Sequence, residues 1–283
     1  MKRVCMFLLM CLFIVAGNLY AQQNNNVFTY KVGKYEISLL AEGQGNGNPR
    51  ILIGATPEMM EKAIPEGTFP NATNTFLIKT PDQIILVDAG YGRELFNNLQ
   101  SLGVTPEQVD VVLITHMHGD HIGGMLRDGN IAFPNAKVHL ATREYGHWNG
   151  VEGNAKNMIQ AYEGQISLFL PEKAGEAKNQ LYPGIYAITS YGHTPGHSCF
   201  LVESDGQKLL IWGDLTHAMA IQMPYPQVAV TYDSNPDDAI KSRKEILEYV
   251  SKNNIPIAGM HIAYPGIGSV KAEGAGYQFV PVN

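Results

Sequence analysis

One short polar run constrains this chain more than any other feature. Three histidines and an aspartate fall within six positions of Thr115-His116-Met117-His118-Gly119-Asp120-His121, directly after apolar residues 111–114 that are typical of a buried strand. Polar side chains there need partners, because an unpaired polar group in a core is costly. One loop this short cannot direct all four side chains to one ion. We therefore expect two neighbouring sites, one facing His116 and His118 and the other facing Asp120 and His121.

Composition restricts the class of partner. The 283 residues carry a formal net charge of −6, and the one basic cluster, Lys241-Ser242-Arg243-Lys244, is typical of the solvated face of a helix. Nucleic acid is disfavoured as a partner, because phosphate binding needs a concentrated positive surface. Beyond the N-terminal region the only cysteine is Cys199, so no disulfide can form within the mature chain. We expect Cys199 to be a buried apolar side chain rather than a nucleophile.

The N-terminus is typical of an export signal. Lys2 and Arg3 precede an almost wholly apolar segment, residues 4–17, and small and polar residues follow, with a cleavage site after Ala21. The apolar segment is too short to span a bilayer comfortably. We expect residues 1–21 to be a signal peptide and residues 22–283 to be a single domain. The mature protein would be periplasmic or secreted, without stable membrane insertion.

Short apolar runs alternate with glycine and proline along the rest of the chain. The pattern predicts strands at residues 27–30, 35–40, 75–79, 83–88, 109–115, 137–142, 184–190, 199–204, 208–212 and 255–261. It predicts helices at residues 57–63, 93–102, 155–163 and 237–252. Strands followed by mixed strands and helices, without strict alternation, favour an α+β fold in which two sheets are covered by helices on their outer faces.

Aspartate or histidine follows five of the predicted strands. One polar residue at a strand end is usually a turn former, but five such ends in one chain are hard to explain as turns. Besides the histidine run, the residues at these ends are Asp88, His193, Asp214 and His261. Zinc and similar ions take nitrogen from histidine and oxygen from carboxylates, and two ions need about seven or eight donors.

The strand ends supply that number of donors. We assign His116, His118 and His193 to the first ion, Asp120, His121 and His261 to the second, and Asp214 as a bridge between them. Asp88 is expected to orient a ligand imidazole from outside the ligand set, a contact that metal sites commonly need. His197 is expected to pack or hydrogen-bond near its own turn and to stay outside the ligand set.

These residues, in this order, resemble those of the metallo-β-lactamase-fold hydrolases. The resemblance covers the chain from about residue 30 to its end, and rests on Asp88, His116-Met117-His118-Gly119-Asp120-His121, Gly192-His193-Thr194-Pro195-Gly196-His197, Trp212-Gly213-Asp214 and His261. It implies a four-layer αββα sandwich of two mixed sheets flanked by helices, with the metals at one edge of the sheets.

Within that superfamily the chain resembles methyl parathion hydrolase and its lactonase relatives. The likeness rests on Gly213-Asp214-Leu215-Thr216-His217, residues 224–226, Asp233-Ser234-Asn235-Pro236 and the tail from Pro265 to Val282. It implies two divalent ions, with zinc favoured and manganese, iron or cobalt as alternatives. A hydroxide shared by the ions would attack a lactone or ester, with phosphotriesters as an additional substrate. The implied catalytic residues are Asp120, Asp214 and His217.

Three features leave alternatives open. Acyl-homoserine lactonases carry a tyrosine near the position of His217, so this histidine either donates a proton to the substrate or lines the pocket. Trp148, Phe133 and Tyr145 either form an aromatic wall for an apolar leaving group or pack in the core or a lid. The oligomeric state is also open, and a homodimer is one alternative.

Other activities of the same fold are less well matched. An exported β-lactamase is the main alternative, but common β-lactamases of this fold carry a cysteine where this chain has Asp214. Glutathione thioester hydrolases use a basic C-terminal region, which is not recognisable here. Redox proteins of this fold use a carboxylate in place of one early histidine, where this chain has His118. These differences favour lactone or ester hydrolysis.

Overall fold

The computed structural model describes residues 26–282, and the predicted signal peptide, residues 1–21, lies outside them. The strands in chain order are β1 (Val27–Val32), β2 (Tyr35–Gly47), β3 (Leu52–Ile53), β4 (Phe69–Lys79), β5 (Ile84–Val87), β6 (Val111–Leu113), β7 (Leu126–Arg127), β8 (Asn130–Ile131), β9 (Lys137–Ala141), β10 (Ile166–Phe169), β11 (Gln180–Tyr182), β12 (Ile185–Thr189), β13 (Ser198–Ser204), β14 (Gln207–Ile211), β15 (Ala229–Val230), β16 (Ile257–Ala258), β17 (Ile267–Glu273) and β18 (Gly276–Pro281). The α-helices are α1 (Pro57–Ala63), α2 (Leu95–Ser101), α3 (Gly119–Ile122), α4 (Thr142–Trp148), α5 (Asn154–Ala161), α6 (Met219–Gln222) and α7 (Pro236–Asn253). Within the described part of the chain, no helix is long and apolar enough to cross a bilayer.

Two seven-stranded sheets form the centre of the molecule. The first has the strand order β1-β2-β4-β5-β6-β9-β10, and the second has the order β11-β12-β13-β14-β16-β17-β18. Apolar side chains of α2, α3 and α5 pack on the outer face of the first sheet, and those of α7 pack on the outer face of the second. A third core lies between the sheets. This arrangement confirms the predicted four-layer αββα sandwich.

Successive residues of one strand enter different cores. In β4, Phe76 points into the core between the sheets, whereas Leu77 points to the helices outside. In β14, Leu209 and Leu210 divide in the same way between the inner core and the layer beneath α7. Strands buried on both faces therefore appear in the sequence as continuous apolar runs. Cys199 points into the layer beneath α7 and is fully buried, which agrees with the expected apolar role.

Parallel pairing brings the ends of the site-bearing strands to one edge of each sheet. Strands β5 and β6 are parallel, and so are β14 and β16. Strand β12 runs in the same direction as β14, because each is antiparallel to β13. Asp88 and the histidine run therefore leave the first sheet at the same edge. His193, Asp214 and His261 likewise follow parallel strands of the second sheet.

Asn74 joins the two sheets at this edge. Its backbone N–H donates to the carbonyl of Met260 at 2.9 Å, and its side-chain amide donates to the carbonyls of Gly259 at 3.1 Å and Ile262 at 2.8 Å. The side chain is buried, so these bonds also satisfy an amide NH2 group that water cannot reach. Strand β4 of the first sheet thereby fixes the segment of the second sheet that carries His261.

Helix α7 has clear local signals at its start. The side chain of Asn235 accepts a hydrogen bond from the backbone N–H of Asp238, and Pro236 lies in the first turn. The helix buries Arg243, which is 1% exposed. The prediction that residues 241–244 form a solvated face is therefore wrong for Arg243, because its guanidinium donates to three buried loop carbonyls.

Strands β17 and β18 form a C-terminal hairpin that the sequence pattern did not predict as strands. They pair antiparallel from Gly268 opposite Pro281 to Glu273 opposite Gly276. The glycines weaken the alternating pattern that predicts strands, since they carry no side chain to mark a face. The hairpin extends the second sheet beyond β16, which is shorter than the predicted strand at residues 255–261.

Burial of His139 should make the free energy of unfolding depend on pH. It lies on β9 in contact with Tyr182 of the second sheet, and burial, followed by the charge of Lys137, lowers its pKa from 6.5 to about 4. Between these values the unfolded chain binds the proton and the folded chain does not, so His139 should lower the free energy of unfolding as the pH falls through this window. In His139→Gln that contribution should be absent. Urea unfolding of both proteins across the window tests this, and parallel curves would contradict it.

Candidate metal centre

Three imidazole nitrogens converge at the edge shared by the two sheets. His118 Nδ1 lies 3.1 Å from His116 Nε2 and 3.0 Å from His193 Nε2. Asp214 joins this group, in which the donor atoms all lie within 4.8 Å of one another. The nitrogens of His116, His118 and His193 point at one another rather than at separate partners. Such convergence of nitrogen lone pairs is what a cation requires.

A second group lies beside the first and faces the same aspartate. It contains Asp120, His121 and His261, with Asp120 Oδ2 lying 3.7 Å from His121 Nε2 and 3.5 Å from His261 Nε2. Asp214 Oδ1 lies 3.1 Å from His121 Nε2, and Asp214 Oδ2 lies 3.1 Å from His261 Nε2. Asp214 also lies close to the first group, because its Oδ2 is 3.3 Å from His193 Nε2. The structure therefore brings all seven predicted ligands together, with Asp214 between the two groups.

Buried atoms without partners test whether these residues fit metal ions. His121 Nε2 and Asp214 Oδ1 are buried and form no hydrogen bond with any described residue, although they lie only 3.1 Å apart. Burying unpaired polar atoms is costly. A divalent cation would satisfy both atoms, and imidazole nitrogen with carboxylate oxygen is the donor set that zinc and related ions take. The residues therefore fit a metal centre.

Hydrogen bonds at the second ring nitrogen orient three of the histidines. His121 Nδ1 bonds Asp88 Oδ2 at 2.7 Å, His193 Nδ1 bonds Asp233 Oδ1 at 3.0 Å, and His261 Nδ1 bonds the carbonyl of Ala72 at 2.7 Å. Each bond leaves Nε2 facing the metal groups, an arrangement typical of metal-binding histidines. Asp88 also accepts hydrogen bonds from the backbone and hydroxyl of Thr115, so it holds the start of the histidine run as well.

Burial and neighbouring charges shift the pKa values of His118 and His121 in opposite directions. Burial acts to lower the pKa of His121, but carboxylates, Asp214 first and Asp120 second, raise it well above its ordinary value. Burial and then the neighbouring His193 lower the pKa of His118 to about 4, which leaves this ring neutral at physiological pH. A neutral imidazole offers its lone pair to a metal. Carboxylates that favour a proton on His121 equally favour a metal cation in its place.

Comparison with known families agrees with this geometry. The family model described as the metallo-beta-lactamase superfamily matches residues 68–258. The chain belongs to the metallo-β-lactamase superfamily. Membership of this superfamily and the cluster of metal-binding side chains together indicate a metal-dependent hydrolase.

Individual superfamily members are distant in sequence but similar in structure. An N-acyl homoserine lactonase from Bacillus sp is 26% identical over 156 residues, covering 46% of this chain and 58% of that protein. The first curated relatives are matched over 48% to 75% of their own lengths. Two solved structures, each aligned over 91% of this chain and 98% of the other, are a dizinc quorum-quenching lactonase, AidC (TM-score 0.83, 22% identity), and a hydrolase of the β-lactamase superfamily, AbOPH (TM-score 0.80, 27% identity).

His197 supports the backbone of Asp214 and, within residues 26–282, belongs to neither metal group. Its Nε2 accepts a hydrogen bond from the N–H of Asp214 at 2.9 Å, and its Nδ1 donates to the carbonyl of Ser190 at 2.9 Å. This pattern needs a neutral ring, and burial lowers the pKa of His197 to about 3. Gly213 has φ +59°, and a Cβ there would lie 2.5 Å from His197 Nε2. Only glycine fits this position.

His217 lies beside the second metal group. It is 4% exposed, its Nε2 is 3.1 Å from Asp214 Oδ2, and its ring stacks on that of His261 with centroids 4.7 Å apart. The side chain of Gln222 accepts from its backbone N–H at 2.8 Å, and the side chain of Asn71 donates to its carbonyl at 2.8 Å. These two amides fix the backbone of His217. Side chains of Asp214, His217 and His261 also form a third group with metal-ligand spacing.

A cavity of about 500 Å³ opens onto the metal groups. Besides five of the residues above (His118, Asp120, Asp214, His217 and His261), its lining includes Asn48, Ile51, Asn71, Thr73, Tyr91 and Tyr232. No lysine or arginine in the described part of the chain lines it. Tyr91 and Tyr232 are exposed, so they give the cavity an aromatic surface. The sequence pattern did not predict that either tyrosine lines the cavity. The one sequence signal was their position beside site aspartates, since Tyr91 follows Asp88 by three residues and Tyr232 precedes Asp233 by one.

The residues considered for an aromatic wall have other roles. Phe133 is fully buried in the core outside the first sheet, and Tyr145 packs against that core. Trp148 packs there too, with its ring edge-on to His118 at 5.8 Å between centroids. Of the two roles left open by the sequence, packing is the one that the structure shows for all three.

Proposed function

We propose that this protein is a dinuclear, zinc-dependent hydrolase of uncharged lactones or esters. The observation that carries the proposal is the position of Asp214 between two histidine groups, beside a cavity with no cationic lining among residues 26–282. Its N-acyl homoserine lactonase relatives support the choice of lactones. Phosphotriesters are also uncharged and remain an additional candidate substrate.

The chain offers separate donors for two ions. His116, His118 and His193 would hold one, Asp120, His121 and His261 would hold the other, and Asp214 would be shared. When bound, such ions supply Lewis acidity and lower the pKa of water. The protein itself supplies the fixed positions of the donors, through Asp88 and the other outer hydrogen bonds described above.

His217 is suited to donate a hydrogen bond to the substrate. Burial lowers its pKa to about 4, so the ring is neutral at physiological pH and carries one proton. Its Nδ1 is buried and has no hydrogen-bond partner among the described residues. If the proton is on Nε2, Nδ1 is an unpaired acceptor rather than an unpaired N–H. Burying an unpaired acceptor costs less than burying an unpaired N–H, so this tautomer is favoured. The N–H then faces Asp214 and the cavity, where it can reach a substrate oxygen.

The cavity lining offers no basic side chain to an anionic substrate. β-Lactams and glutathione thioesters carry a carboxylate that needs a cationic partner once it is removed from water. Apart from the metal ions themselves the cavity offers no such partner, because no lysine or arginine of residues 26–282 lines it. Tyr91, Tyr232 and Ile51 offer apolar surface instead, which favours a substrate with a hydrophobic substituent.

A hydrolysis screen of the zinc-loaded protein tests the proposal. The panel should contain acyl-homoserine lactones of several chain lengths, dihydrocoumarin, aryl acetates, methyl paraoxon and the β-lactam nitrocefin, with elemental analysis in parallel. We expect two zinc ions per chain, turnover of lactones or esters and no turnover of nitrocefin.

The same preparation stripped with a chelator is the control. It should be inactive and should recover when zinc is restored. Turnover that survives stripping, or nitrocefin as the best substrate, would contradict the proposal.

A further inference from the structure

Glu144 is a buried carboxylate beside the metal centre that belongs to no metal group of the described residues. It lies on α4 and is 1% exposed. Its Oε1 accepts hydrogen bonds from the backbone N–H of Met117 at 2.9 Å and the indole N–H of Trp148 at 2.7 Å. Its Oε2 accepts from the hydroxyl of Thr194 at 2.7 Å and the backbone N–H of Gly196 at 3.0 Å.

These donors come from both segments that carry the first histidine group. Met117 lies between His116 and His118, and Thr194 directly follows His193. One oxygen of Glu144 therefore holds the first segment, and the other holds the second. A single side chain thus spans two parts of the site that are far apart along the chain.

The packing leaves little freedom between α4 and the loop after His193. A Cβ on Gly196 would collide with the backbone nitrogen of Glu144, so the turn and the helix are in direct contact. All four groups around the carboxylate donate hydrogen bonds, which suits its ionised form. Within residues 26–282, the ion pairs formed by lysine and arginine do not include Glu144.

We propose that Glu144 is a positioning residue that sets the spacing of His116, His118 and His193 and thereby their affinity for an ion. The inference rests on the metal-binding part of the proposed function and not on the identity of the substrate. Glutamine in its place would turn one oxygen into an amide that faces two donors, so one of the two segments loses its anchor. The histidines themselves are unchanged by that substitution.

Zinc affinity of Glu144→Gln, measured by competition with a chromophoric chelator, tests the inference without substrate. Outer contacts of metal sites typically contribute about 10–100-fold in affinity, and we expect a loss in that range for the more weakly held ion. The turnover number should recover when zinc is added in excess, with KM unchanged. The matched control is Glu172→Gln, since Glu172 Oε2 also accepts two backbone N–H groups, at 2.8 Å each, from Lys178 and Asn179, a segment that carries no metal ligand. That control should bind zinc as the wild type does.

Thr194→Val provides a second, milder variant in case Glu144→Gln folds poorly. It removes one donor to the same carboxylate and should weaken zinc binding less than Glu144→Gln does. In the double variant the fold-loss of zinc affinity should be smaller than the product of the two single fold-losses, because both substitutions disrupt the same contact. Wild-type zinc affinity in Glu144→Gln, or fully independent losses in the double variant, would overturn the inference. Weaker zinc binding in a protein that hydrolyses no lactone or ester would leave the inference standing and overturn only the proposed substrate.

Discussion

Asp214→Ala should abolish binding of both ions and nearly all hydrolysis. Asp214 is 2% exposed and lies within 3.6 Å of ring nitrogens in both histidine groups. Burial acts to raise its pKa, but the surrounding histidines, led by His121, hold the pKa well below its usual range. The anion is therefore stable at this position. Removing an outer contact of a metal site typically costs about 10–100-fold, and the loss of activity in Asp214→Ala should be larger than that.

Elemental analysis after gel filtration and turnover of the best lactone or ester measure this effect. Asp82→Ala removes the same charge from an exposed turn and should retain both ions and full activity. Asp214→Asn separates charge from shape, since it keeps one oxygen in place, and should still lose most of the metal. An Asp214→Ala protein that kept two ions and wild-type turnover would show that this residue is not shared by the two ions.

Arg243→Met should lower the free energy of unfolding by about 3–5 kcal/mol, the range for removing one partner of a buried ion pair. Arg243 Nε donates to the carbonyl of Leu215 at 2.8 Å, and Nη1 donates to those of Pro226 at 3.0 Å and Val228 at 2.8 Å. Its Nη2 lies 3.9 Å from Asp233 Oδ2. Methionine fills similar space but leaves three carbonyls without their donors and a carboxylate without its cation.

Denaturant unfolding at constant pH measures the change. Lys244→Met removes the same charge from the exposed side of the same helix, and should stay within about 0.5 kcal/mol of wild type. Because Asp233 also orients His193, Arg243→Met should weaken zinc binding even where the protein remains folded. A loss of stability no larger than that of Lys244→Met would contradict the role of Arg243.

Local sequence signals were reliable where the structure depends on near neighbours. Helix α1 has the predicted bounds, because Thr56 and Pro57 specify its start within a few residues. The four-layer arrangement was also predictable, since strands buried on both faces give continuous apolar runs. The hairpin of β17 and β18 was missed because its glycines hide the alternation, although the tail that contains it carried part of the family resemblance.

The sequence was a poorer guide to burial of single polar residues. The sequence predicted a solvated helix face at residues 241–244. Arg243 is nevertheless buried, and it donates hydrogen bonds to loop carbonyls of residues 215–228. The sequence left open whether Trp148 and its aromatic neighbours face a substrate or pack, and the structure shows that they pack against the core. In both cases the deciding contacts come from segments distant in sequence, and spacing along one segment carries no information about them.

What the sequence by itself determined is the chemistry of the donors: which histidines and aspartates follow buried strands, and the family in which that order occurs. Apart from Asp88, whose contact with a ligand imidazole the sequence predicted, the tertiary structure alone decided how those donors are supported. Glu144, Asn74 and Arg243 hold the segments around the site largely through backbone carbonyl and N–H groups. Such partners leave no mark in the sequence, because any residue can supply a carbonyl or an N–H. Only folding brings these groups within hydrogen-bond distance, and only burial makes them costly to leave unpaired.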